Sequence, residues 1–146
     1  MVKKCHTKIV LCASDRAGRA IDVGNLKAGR EVNFKLFKEE WSGLKYKGRA
    51  VWVDLGFLGI RHCLSDATIF IPHKKPRGKA LSEAQRKENA AMARVRVKVE
   101  HMIGGIKRYF ILQHRSRFKV MQTLDDALHL CAGLWNLTRG FTVNVA

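Results

Sequence analysis

The chain has 146 residues, the length of one ordinary domain, and 47% of them are hydrophobic, which excludes a disordered basic tail. Twenty-eight Lys and Arg stand against 12 Asp and Glu, a formal net charge of +16 that favours a polyanionic partner, nucleic acid before an anionic membrane surface. No opening stretch has the order of a signal peptide, and the longest apolar run, ALHLCAGLW, is too short to span a bilayer, so a cytoplasmic protein without membrane attachment is expected.

In chain order, KCHTKIVLCA is rich in β-formers, SDRAG reads as a turn, and RAIDVGNL resumes an extended pattern, together a hairpin. After a loop at Gly29, Asn33 is placed to cap a short helix, FKLFKEEW, that ends before Ser42-Gly43. RAVWVDLGF has consecutive apolar residues, the pattern of a strand covered on both faces. Asp54 comes at its C-terminal end beside Gly56 and Gly59, and ends of central strands are where α/β sheets gather their chemistry.

Residues 61–80 are expected as a basic loop, in which Pro72, Pro76 and Gly78 keep IPHKKPRGKA out of regular structure. Ser82-x-x-Gln85 has the spacing of a capping box and starts a helix over 81–112, broken or softened near Gly104-Gly105. A last helix over 123–138 places Leu124, Leu128, Cys131 and Trp135 on one buried face. With strands and a short helix over 1–60, the whole reads as a single domain without internal repeats. Trp41, Trp52 and Trp135 are expected in the core, since nothing places them as a stacking platform for bases.

The four cysteines, Cys5, Cys12, Cys63 and Cys131, form no C-x-x-C pair, so reduced thiols are expected. The neighbours Cys5-His6 and His62-Cys63 would point to opposite faces of a strand, which argues against zinc.

Charge is uneven along the chain. Residues 74–119 hold fourteen Lys and Arg against three Glu, a net of +11, and Glu100 is the one acid in RVRVKVEHMIGGIKRYF. On a wheel of about 100° per residue, Met92, Val95, Val99, Ile103, Ile106 and Phe110 fall within roughly 80° and should pack on the sheet. Arg96, Glu100 and Lys107 form a second stripe beside that arc, so Glu100 is expected at the core boundary, within reach of solvent. Two readings stay open for Glu100. It forms a surface ion pair with Arg96 worth about 0.3–0.5 kcal/mol, or it joins Asp54 in a metal site. Two carboxylates brought together repel unless a divalent cation sits between them, and their hard oxygens suit Mg²⁺ or Mn²⁺. Lys74, Lys75 and Arg77, with His73, either track a nucleic-acid strand or form a solvated loop.

Arg96, three residues, Glu100, six residues and Lys107 resemble the C-terminal signature of insertion-sequence transposases of the DDE superfamily. LSEAQRKENAAMAR, the Asp54-x-Gly56-Phe57 turn and KKCHTKIVLCASDRAGR resemble the bacterial DDE endonucleases related to Harbinger-type transposases, over essentially the whole chain. The resemblance implies an α/β ribonuclease H-like mixed sheet flanked by helices, and a triad of two Asp and one Glu holding two Mg²⁺ or Mn²⁺. Asp54 then matches the second acid and Glu100 the third, while Arg96 and Lys107 match basic partners that contact donor DNA or orient the Glu. Arg94, Lys74, Lys75 and Arg77 are expected to hold the DNA backbone. The implied setting is the bacterial cytosol, associated with the nucleoid.

The sequence departs from that pattern in three places. Ala93 stands where Tyr usually opens the signature, and Val32-Asn33 stands where many relatives have His-Asp. The first triad Asp would lie upstream of KKCHTK, so a truncated domain lacking its first core strand is expected; Asp15 is better explained as a turn former and Asp22 as a strand-edge residue. Two functions follow. The first is a transposase that cleaves DNA at transposon ends and transfers the strand, this chain being an inactive or split fragment. It would act as a homo-oligomer or beside a chain carrying the missing part. The alternative is a non-catalytic, basic DNA-binding protein derived from a transposase.

Overall fold

Short β-rich runs broken by turn residues, followed by long runs of helix formers, give an α/β chain. The computed structural model describes residues 8–28, 33–41, 46–113 and 120–140. In chain order its elements are β1 (Lys8–Ile9), β2 (Cys12–Ser14), β3 (Ala20–Val23), β4 (Lys27–Ala28), α1 (Asn33–Glu40), β5 (Ala50–Trp52), β6 (Thr68–Phe70), α2 (Glu83–Ile106), α3 (Phe110–Gln113) and α4 (Met121–Thr138). Two compact units divide them: Met1–Arg30 with Lys98–Ala146, and Glu31–Val97.

In the first unit the expected hairpin forms, β2 pairing antiparallel with β3 and β1 with β4. Asp15 makes the turn, as its residue type suggested. Its Oδ1 accepts from the backbone N–H of Ala17 at 2.9 Å and of Arg19 at 3.0 Å, and its Oδ2 meets Arg19 Nε at 3.1 Å. Gly18 takes the left-handed conformation that closes the turn, with φ +88°. The opening residues of the expected strand, the Gly29 loop and Ser42-Gly43 lie outside the described residues.

A two-stranded ribbon leaves backbone groups unpaired along its edges, and α4 satisfies several of them. Asn136 accepts from Ala20 N at 2.8 Å and donates to Ala20 O at 3.0 Å, while the buried Asp125 accepts from Leu26 N at 2.7 Å. His129 Nε2 lies 3.0 Å from Val23 O, and Trp135 Nε1 donates to Gly18 O at 3.0 Å. On its inner side α4 buries Leu124, Leu128, Cys131, Ala132 and Trp135, which include the four positions expected from periodicity. Met102 and Ile106 of α2 complete this core, with Val99, Ile103 and the hairpin residues Val10, Cys12, Ala20 and Val23 packed against it. Each large side chain so buried contributes about 1.5–3 kcal/mol.

The α2 helix corrects two expectations. It runs unbroken through Gly104-Gly105 and ends at Ile106, followed by a turn and the separate α3, rather than continuing to 112. Gly105 is buried, and a Cβ there would fall within the Trp135 ring, so the absent side chain is what lets the ring lie against the helix. Met102 is fully buried on this side of α2, whereas Phe110, expected on the packed face, lies beyond the end of α2 in α3 and is 72% exposed.

In the second unit α1 forms as expected and buries Leu36 and Phe37; the Phe37 ring meets Trp41, Tyr46 and Phe57 with centroids 6.1–6.3 Å apart. The parallel pair β5–β6 aligns Ala50 with Thr68 and Trp52 with Phe70. The strand β6 falls inside the segment expected as loop, because TIF is too short to show a period. A strand covered on both faces was expected at β5, yet Val51 and Trp52 are only half-buried. Trp52 stacks flat on Phe70, at 4.9 Å and 9°, outside the core expected for it, whereas Trp41 and Trp135 are buried. Residues 71–80 are irregular, as their Pro and Gly content required.

Candidate functional site

Asp54 is set by the end of β5. The last ladder bond, Val53 N to Phe70 O at 3.0 Å, precedes it, and its Oδ1 accepts from Leu55 N at 2.6 Å to cap a 3-10 turn over Leu55–Phe57. Gly59 then takes φ +96°, reversing the chain where a side chain would be strained. The second oxygen, Oδ2, faces Arg96 Nη2 at 3.5 Å. Asp54 is 54% exposed and Arg96 only 23%, so a largely enclosed guanidinium holds an accessible carboxylate. Charge-assisted contacts of this kind orient the acid more than they stabilise the fold, since half-exposed ion pairs contribute roughly 0–1 kcal/mol.

Arg96 lies on α2, and Glu100 follows one turn later on the same helix with its side chain exposed. Residues at this spacing share a helix face. Glu100 thus meets the expectation of solvent access. Lys107 follows the last residue of α2, exposed, and is close enough to Cys12 to act electrostatically on its thiol. Burial pushes that thiol up to about 11, with Asp22 adding to the rise and Lys107 opposing it. Burial also raises the Cys131 thiol. Cys12, Cys63 and Cys131 are free thiols, and among the described residues no three His, Cys, Asp or Glu side chains converge as a metal cluster.

Lys74, Lys75 and Arg77 are exposed in the irregular segment, and Arg94 is exposed on α2. The base of that segment is clamped, a feature the sequence reading missed. His73 N donates to Asn89 Oδ1 at 2.7 Å, Asn89 Nδ2 donates to His73 O at 3.1 Å, and His73 Nε2 lies 2.5 Å from Glu88. Only the polar pair Glu88-Asn89, two turns into a helix, could have signalled it. The capping box that starts this helix is present, Gln85 N donating to Ser82 Oγ at 3.2 Å and Ser82 N to Gln85 Oε1 at 3.0 Å.

These elements define a strongly basic α/β protein that presents an oriented carboxylate at the end of a parallel strand, with an Arg-Glu helix supplying its ion-pair partner. The chain belongs to the DDE superfamily endonucleases, whose family model matches residues 1–136. It is 35% identical over 137 residues to the "Probable transposase for insertion sequence element IS702" of Microchaete diplosiphon, the match taking in 90% of this chain. The chain spans 46% of that relative's length. No solved structure matches.

Proposed function

We propose that this chain is part of the catalytic region of a DDE-type insertion-sequence transposase, which binds DNA at transposon ends, cleaves it and transfers the strand with the help of Mg²⁺ or Mn²⁺. The observation that carries this reading is the Arg96–Asp54 ion pair, which ties the strand-end acid to the helix bearing the Arg96, Glu100 and Lys107 spacing. Asp54 fits a divalent ion. Its oxygens are hard donors, it is open to solvent, and a carboxylate with about four acceptor positions keeps room beside the Leu55 and Arg96 contacts. Asp54 and Glu100 are the residues proposed to hold the ion. When bound, it supplies an activated water and charge stabilisation at the leaving oxygen.

The protein's own groups do the rest. Arg96 fixes the direction of the Asp54 carboxylate, and the Leu55 N–H locks its rotation. Lys74, Lys75 and Arg77, on a segment anchored by His73, Glu88 and Asn89, neutralise backbone phosphates without reading sequence. Arg94, exposed on α2, and Lys107, exposed just after its end, are proposed as further backbone contacts. Two acids hold two ions poorly, so cleavage calls for a third carboxylate in addition to Asp54 and Glu100, and these two alone should support weak cleavage or none. A non-catalytic DNA-binding role is the alternative, and the excess of 28 Lys and Arg over 12 Asp and Glu supports it without any carboxylate chemistry. Fluorescence anisotropy with duplex DNA tests the shared part of both readings. Affinity should fall steeply as salt rises, by about 0.9 logarithmic units per phosphate neutralised and per tenfold salt, and binding that is absent or insensitive to salt contradicts them.

A further inference from the structure

A cavity of about 190 Å³ opens within the first unit between the hairpin turn, α2 and α4. Ala17 and Gly18 of the turn, Lys98 and His101 of α2, and Trp135 with Arg139 at the end of α4 line it. No acidic side chain is among them. Asp15, the nearest acid in the turn, spends its oxygens on Ala17 N, Arg19 N and the Arg19 guanidinium. The indole of Trp135 is pinned to Gly18 O, and the Arg139 guanidinium lies over its ring, 4.5 Å from the centroid. A guanidinium stacked on an indole keeps its N–H edge available for an oxyanion while its position is held. Lys98 and His101, at i and i+3, stand exposed on the neighbouring wall.

We propose that this cavity is a binding site for one phosphodiester of a nucleic-acid backbone, held by Lys98, His101 and Arg139. Its size selects that ligand. Pockets for drug-sized molecules run roughly 300–1,000 Å³, whereas this one, at about 190 Å³, has room only for a small group such as a phosphate. The site is separate from Glu100: at about 100° per residue, His101 and Lys98 lie roughly 100° and 160° around α2 from it. The backbone N–H groups of the turn are already used, Ala17 N by Asp15 Oδ1 and Gly18 N by Asp15 O, so the cations carry the affinity. The ligand's being DNA rests on the reading given under Proposed function.

The test measures duplex DNA affinity against salt for the wild type, for Lys98→Gln with Arg139→Gln, and for Lys98→Arg. The double variant should bind several-fold more weakly with a salt slope shallower by about 0.9, one phosphate's worth, and Lys98→Arg should keep the wild-type slope. Thermal unfolding confirms that each variant is folded; should loss of the Arg139 stack unfold the double variant, Lys98→Gln with His101→Gln, both exposed, replaces it. If the wild type binds duplex and the variants match it in affinity and slope, the cavity is not a DNA contact. If the wild type fails to bind, the transposase reading itself falls. Inorganic phosphate that binds the wild type but not the variant, with duplex affinity unchanged, identifies a free-anion site and overturns the proposal.

Discussion

Gly104 and Gly105 are chemically identical neighbours on α2, one turn beyond Glu100, and the structure assigns them opposite responses to a methyl group. At Gly104 an added Cβ meets nothing within 4 Å, so Gly104→Ala gains only the helix propensity difference, about 0.5–1 kcal/mol. At Gly105 the same Cβ would overlap the Trp135 ring, whose indole is fixed by its bond to Gly18 O and whose surroundings include the buried Met102, Ile106 and Cys131. A rigid ring cannot yield as a flexible chain end can, so α2 and α4 must separate. Overpacking of this kind costs roughly 1–3 kcal/mol, and the upper end applies. After the propensity gain, Gly105→Ala should be destabilised by about 2 kcal/mol. With each kcal/mol shifting Tm by about 2–4 °C at this size, circular dichroism at the helix band should show Gly104→Ala melting about 2–3 °C above the wild type and Gly105→Ala about 4–8 °C below it. Equal stability of the two variants would refute the packing of Trp135 on Gly105.

Three other outcomes follow from particular contacts. Ser82→Ala removes the side chain that accepts from Gln85 N and should cost about 1 kcal/mol in urea denaturation, with loss confined to the start of α2 in amide exchange. Asn136→Ala leaves both Ala20 N and Ala20 O without their α4 partner, so a loss of about 2–3 kcal/mol is expected, and Asn136→Asp should recover little because a carboxylate would face Ala20 O. Because burial raises the folded Cys12 thiol from 9.0 to about 11, the folded state keeps a proton that the unfolded chain has lost between those values; the contribution is intact below pH 9 and disappears as pH climbs toward 11. Urea midpoints should therefore decline over that window in the wild type and decline less in Cys12→Ala.

Local chemistry was legible in the sequence, and contacts distant along the chain were not. The Asp15 turn, the Ser82–Gln85 capping box and the Leu124, Leu128, Cys131 and Trp135 face depend on residues within a few positions of one another, so spacing alone specifies them. Asp54 was likewise readable at a strand end, because the glycines after it mark the turn. The Met102 face of α2 was not readable, since it packs with Trp135 across about 30 residues of chain. The bonds of Asp125, His129 and Asn136 to backbone groups of the first unit's strand region were not readable either, since each partner lies about 100 residues away along the chain. The His73–Asn89 clamp and the Arg139–Trp135 stack escaped for the same reason: each joins elements whose relation no periodicity encodes. Trp52 was misplaced because an aromatic strand residue can cover a face by stacking on a neighbouring strand, here on Phe70, without entering the core.

The central claim is that Asp54 and Glu100 share one divalent ion, and a thermodynamic cycle on Mn²⁺ stabilisation tests it most directly. Unfolding free energies are measured with and without Mn²⁺ for the wild type, Asp54→Ala, Glu100→Ala and the double variant. A shared ion at a hundredfold excess over its dissociation constant stabilises the wild type by about 2.7 kcal/mol. Either single substitution should remove most of that gain and the double variant should remove no more. Equal Mn²⁺ stabilisation of all four proteins, or losses that simply add, would contradict a common site.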